Sequence, residues 1–162
     1  VNKSKDKHIY TYISGYPLSH VICRLLEFSN NYMANQLMLA MSAIVHSPPG
    51  TMEKGVNLLN EFARKELKIE DVRISEVSGI SRDNRITAKE MMKILQKFTP
   101  YYHLLRKDDN VYYKTGTLSG VRTRAGYIQD SKGNLLPFVI LINTPSKSDK
   151  TILHVLSRYV QS

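Results

Sequence analysis

Apolar positions along the first half of the chain recur at the 3.6-residue spacing of amphipathic helices. Leu18, Val21, Ile22, Leu25 and Leu26 predict a helix over 17–28, which Ser29-Asn30-Asn31 interrupts. Met33, Leu37, Met41, Ile44 and Val45 mark a second, more apolar helix, expected to be buried, that Ser47-Pro48-Pro49-Gly50 ends. Thr51 is placed to cap a third helix with Met52, Val56, Leu59, Phe62 and Ala63 on one face. Val72, Ile74 and Val77 predict a short strand before the turn Ser78-Gly79-Ile80-Ser81. Thr87 with Glu90 three residues on is a capping-box pattern, and the stripe Met91, Ile94, Leu95, Phe98 should run until Pro100 stops the helix.

After a charged loop at 106–110 the period changes to that of strands, over 111–117, 123–129 and 135–143. The turn-rich segment Asp130-Ser131-Lys132-Gly133-Asn134 predicts that the last two strands form an antiparallel hairpin. Ile152, Leu153, Val155, Leu156 and Tyr159 predict a closing helix lying on the sheet. Helices, then a short antiparallel sheet, then a C-terminal helix define an α+β class. Neither an internal repeat nor a linker divides the chain, so one unit over 1–162 is expected.

The 162 residues, 42% hydrophobic, are enough for a packed core. Apolar runs such as Phe138 to Ile142 are strand-sized and none reaches the 18 residues of a membrane span. Lys and Arg number 23 against 14 Asp and Glu, a formal charge of +9 that favours anionic partners without selecting among nucleic acid, lipid and cell-wall polymer. Cys23 stands alone, so no disulfide forms within the chain and the compartment cannot be inferred from cysteine pairing. His20 and Cys23 are too few for a zinc site, and no metal or other cofactor is expected.

Two short motifs carry candidate chemistry: Ser29-Asn30-Asn31 at a helix junction and Lys114-Thr115-Gly116-Thr117 at the end of a strand. Together they resemble the S-x-N and K-T-G signatures of the serine penicillin-binding protein and β-lactamase superfamily. The segments around them resemble one family within it, the D-alanyl-D-alanine carboxypeptidase/endopeptidases with a long insertion. The ordered matches are Pro17-Leu18-Ser19, Ser29 through Leu37, Ser78 through Thr87, and Lys114 through Tyr127.

The residue types suit acyl transfer. Lys114 offers a fixed positive charge for the free carboxylate of a D-alanine terminus, Thr115 and Thr117 offer hydroxyl donors, and Gly116 lets a peptide lie close to the strand. The resemblance implies a β-lactamase/transpeptidase-like fold and a serine acyl-enzyme. It further implies that Ser29 relays a proton to the leaving amine, Asn31 binds the substrate backbone, and the Thr117 N–H forms half of an oxyanion hole. The implied partners are a peptidoglycan stem peptide ending in D-Ala-D-Ala and β-lactam antibiotics, with no nucleic acid, in the periplasm or another extracytoplasmic space.

The third signature, S-x-x-K, occurs once, at Ser4-Lys5-Asp6-Lys7, among charged residues with no apolar helical face and much nearer Ser29 than the family places it. Chance explains it better, so the chain is expected to be the C-terminal portion of a penicillin-binding domain, inactive alone, with the nucleophile and further strands upstream. Val77 stands where the family more often has glycine, so that turn is expected to differ locally. A basic non-catalytic module for anionic glycan or nucleic acid, using Arg122, Arg124 and stacking tyrosines, is the alternative, and a class A β-lactamase a distant third.

Overall fold

A computed structural model describes residues 10–145 and 147–161. Ser4-Lys5-Asp6-Lys7 lies outside the described residues. Among the described residues five α-helices, α1 (Leu18–Phe28), α2 (Asn31–His46), α3 (Met52–Lys65), α4 (Ala88–Phe98) and α5 (Asp149–Gln161), accompany four strands, β1 (Arg106–Asp108), β2 (Val111–Leu118), β3 (Val121–Gln129) and β4 (Leu135–Ile142). The strands form one antiparallel sheet in the order β1-β2-β3-β4. This is the α+β arrangement expected from the hydrophobic pattern.

The sheet separates two apolar layers. On one face Val111, Tyr113, Ile128, Phe138 and Ile140 pack against Leu153, Leu156 and Val160 of α5. On the other, Leu95 of α4, Leu105 and Tyr127 form a core edged by Leu26, Met92, Phe98 and Tyr102. The Tyr102 ring meets Tyr112 edge to face at 4.8 Å, so these tyrosines are structural. Gly126 is required where β2 and β3 close, because a Cβ there would stand 1.9 Å from Tyr112 O.

Local signals set most helix ends. Thr51 Oγ1 accepts from Lys54 N (3.2 Å), and Thr87 with Glu90 forms the complete capping box. α4 ends at Phe98, ahead of Pro100 as expected, and Pro100 itself enters the first turn of a 3-10 segment, Thr99–Leu104, where a missing N–H costs nothing. The segment expected to be a charged loop includes β1, which pairs with 111–113; a short strand of Arg, Lys and Asp at a sheet edge has no hydrophobic alternation to announce it. The strand expected around Val72–Val77 reduces to a bridge between Arg73 and Arg85, because side chains take the backbone bonds beyond it.

The second helix departs from its expected burial. Met38 and Ser42 are its buried residues, while Ile44 and Val45 are 83% and 56% exposed. The helix packs mainly on α3 through one face, Gly55 of α3 lying against Met38, so that the rest of its apolar surface faces outward. Among the described residues no helix is long and apolar enough to cross a membrane.

Candidate active site

Each residue of Ser29-Asn30-Asn31 has a separate job. Ser29 closes α1 in the left-handed conformation (φ 51°, ψ 48°), which turns the chain sharply. Asn30 caps α2, its Oδ1 accepting from Met33 N at 2.9 Å. Asn31 is the first residue of α2, and its side-chain amide faces two carbonyls; with the nitrogen assigned to that side, as the carbonyls require, it donates to Ser78 O (3.1 Å) and Ser29 O (3.2 Å). The cap belongs to the middle residue of the triplet, three residues before Met33, where the apolar run begins.

Strand β2 brings the second motif to the same place. Lys114 Nζ donates to Ser29 Oγ and to Thr115 O (2.7 Å). Burial pushes the Lys114 ammonium below the ordinary lysine range, since desolvation disfavours the charged form. β1 pairs with β2 only at 111–113, so the outer edge from Lys114 to Leu118 carries no strand among the described residues. The two-residue hairpin closes on Leu118 and Val121, and alternation from that pair turns the main-chain groups of Thr115 and Thr117 toward the open edge. A Cβ at Gly116 would lie 2.5 Å from Thr123 Oγ1 on the neighbouring strand.

A groove of about 560 Å³ runs between these elements, lined by Ser29, Asn31, Lys114, Thr115, Gly116 and Thr117 together with Val77 through Ile80. All six residues singled out from the sequence therefore share one cleft. A second hollow of about 610 Å³ between α1, β1, β2 and α5 shares Lys114 and Thr115 but contains neither Ser29 nor Asn31. The far wall of the groove is the loop after Glu76. Its left-handed residue is Gly79 (φ 78°), whereas Val77 has no positive φ, so valine at that position is accommodated without strain.

Side chains that were candidates for other chemistry are occupied. Arg124 Nε donates to Asp149 Oδ2 at 2.7 Å, both side chains 10% exposed, which removes Arg124 from the surface that a nucleic acid would contact. His20 stacks on Tyr16, with ring centroids 5.0 Å apart, and His103 meets Tyr102 edge to face. The residues that sequence reasoning overlooked are Glu76 and Asn84, whose polar atoms bind the loop from within.

A family model described as the D-Ala-D-Ala carboxypeptidase 3 (S13) family matches residues 2–105 and 104–160. The D-alanyl-D-alanine carboxypeptidase DacB of Haemophilus influenzae is 24% identical over 158 residues, covering 82% of this chain and 33% of that protein. Penicillin binding protein 4 (dacB) from Haemophilus influenzae, solved in complex with a β-lactam, superposes with a TM-score of 0.76 at 19% identity, over 90% of this chain and 42% of that one. The TLA-3 extended-spectrum β-lactamase superposes at 0.63 with 15% identity, over 91% of this chain and 66% of that one. The chain thus has the penicillin-binding and β-lactamase-like fold and spans about a third of its curated relative. With the family model matching nearly its whole length, the chain belongs to the D-Ala-D-Ala carboxypeptidase 3 (S13) family.

Proposed function

We propose that this chain supplies two walls of the acyl-transfer cleft of a serine D-Ala-D-Ala carboxypeptidase or endopeptidase that penicillin inhibits. The observation that carries the reading is the direct contact of Lys114 Nζ with Ser29 Oγ at a groove beside an open strand edge. A peptide laid along Thr115 to Thr117 pairs with outward main-chain groups, the Lys114 charge holds its terminal carboxylate, and the Asn31 amide bonds its backbone. A serine oxygen adds to the carbonyl carbon of the penultimate D-alanine, with the Thr117 N–H stabilising the oxyanion. As the carbon–nitrogen bond breaks, Ser29 passes a proton to the departing amine, and water then hydrolyses the ester.

The nucleophile and its lysine come from polypeptide outside this chain, a reading supported by the one-third coverage of the curated relative and by the poor setting of Ser4-Lys5-Asp6-Lys7. The compartment that suits a peptidoglycan substrate is the periplasm or another extracytoplasmic space. The +9 charge gives less support to a glycan- or nucleic-acid-binding module, since Arg124, one of the cations that reading would use, is nearly closed to solvent and paired with Asp149.

Penicillin labelling of the intact protein tests the reading. A mass increase of one penicillin on a serine outside 1–162 is expected, and an intact protein that gains no mass sinks the catalytic proposal.

A further inference from the structure

Residues 75–84, of which Val77 through Ile80 line the groove opposite β2, run without helix or strand, so side chains satisfy much of their backbone. Two do most of this. Glu76 Oε2 accepts from Ser78 N (2.6 Å) and from Ser78 Oγ, while its Oε1 accepts from Ser81 N (3.0 Å) and Asn84 Nδ2 (2.8 Å). Asn84 Oδ1 accepts in turn from Ser75 N (2.8 Å) and Glu76 N (3.3 Å), and its amide nitrogen donates to Glu76 O (3.2 Å). Ser78, held twice by the carboxylate, presents its carbonyl to the Asn31 side chain. Glu76 and Asn84 do not line the groove, but Val77 through Ile80 do.

We infer that Glu76, clamped by Asn84, is a positioning residue that fixes Ser78 O and through it the orientation of the Asn31 amide toward a bound peptide. An asparagine side chain on the first turn of a helix is free to rotate unless its nitrogen has fixed acceptors. Here one acceptor, Ser29 O, belongs to the α1–α2 junction and the other, Ser78 O, depends on the clamp. Charge-assisted bonds to a carboxylate are the strong ones, which suits a loop that must stay in place when a ligand pulls on Asn31. The inference rests on the proposed role of Asn31 in binding a substrate amide.

The test compares acylation of the intact protein by benzylpenicillin, which carries an acylamide, and by 6-aminopenicillanic acid, which does not. Glu76→Gln should slow benzylpenicillin about tenfold while leaving 6-aminopenicillanic acid within about twofold, and Asn31→Ala should slow benzylpenicillin by at least as much. The double variant should be no slower than Asn31→Ala alone, because the two act in series. Equal slowing of both penicillins by Glu76→Gln, or multiplying effects in the double variant, would overturn the inference. If Glu76→Gln does not fold, Ser78→Ala, which removes one donor and keeps the carbonyl, should show the same bias at about threefold, and an unbiased Ser78→Ala overturns it equally.

Failure of the wild-type protein to acylate at all would remove the proposed function instead. The clamp is then read from the Asn31 side-chain amide resonances, which should lose their protection from exchange in the variant; unchanged exchange would end the inference.

Discussion

Lys114 Nζ and Ser29 Oγ, 85 residues apart in the chain, are in direct hydrogen-bond contact, and the same ammonium donates to Thr115 O at 2.7 Å. One cation thus ties the middle of β2 to the α1–α2 junction, and in the proposed function the same cation holds a terminal carboxylate. Lys114→Ala in the intact protein should slow penicillin acylation by about 10² to 10⁴, the range for losing a positioned proton-transfer and charge-holding group. Lys114→Arg keeps the charge but not the compact geometry and should recover little of the rate. Acylation kinetics measured by quenched-flow mass spectrometry check both.

The same burial makes Lys114 costly to the fold. Its pKa is lowered, so the folded chain binds this proton less readily than the unfolded chain does. Stability therefore rises with pH between the lowered value and 10.5, and the penalty is full below that window. Lys114→Met should be more stable than the wild type at pH 7, with the gap narrowing toward pH 10. Urea midpoints at the two pH values measure it; a gap that widens with pH contradicts the assignment.

Ser29 holds a left-handed backbone that glycine adopts at no steric cost. Ser29→Gly should raise stability by about 0.5–1 kcal/mol while slowing acylation, because the hydroxyl proposed to relay the proton is gone. Opposite signs in the melt and in the kinetics are the expected signature. A loss of stability would show that the Lys114 contact outweighs the backbone strain.

Glu76 is drawn toward a raised pKa by burial, but the Ser78 hydroxyl and the N–H groups of Ser81, Ser78 and Gly79 outweigh that and leave it lowered. A lowered carboxylate pKa stabilises the fold above the unfolded value near 4.5, and that contribution is lost as pH falls through the folded value. The wild type should exceed Glu76→Gln by about 1 kcal/mol at pH 7. That difference should vanish in acid, below the folded pKa, in denaturant melts across the range.

What the residues announced by themselves was what their near neighbours decide. Thr87 and Glu90 cap a helix with no help from elsewhere, and Asp130 organises its own turn by accepting from Lys132 N and Asn134 N, so both were legible. The Ser29 and Lys114 motifs were legible as chemistry, though the sharing of one groove is a tertiary fact. What escaped was decided at a distance. Asn84 reads as a turn residue, and its grip on Ser75 and Glu76 depends on how the loop folds back. The exposed side of α2 looked like core, because its spacing reports an apolar stripe and not what covers it. β1 could not be seen in Arg106–Asp108, where pairing with 111–113 and not sequence pattern makes the strand.

Behind the groove, Arg124 and Asp149 test how the sheet is held to α5. Their 2.7 Å contact is nearly closed to solvent, and the Arg124 guanidinium also lies 4.4 Å from the centre of the Tyr113 ring. Asp149→Ala leaves a buried cation without its counter-ion, a change that costs about 3–5 kcal/mol in comparable settings. Arg124→Met with Asp149→Leu should return most of that loss, since an apolar pair needs no charge compensation. Neither residue contributes a group to the Ser29, Asn31 and Lys114 wall, so at a temperature where every variant is folded the penicillin acylation rate should stay within about twofold of wild type. Slower acylation of the folded single variant would mean that the ion pair sets the position of β2 as well as its stability.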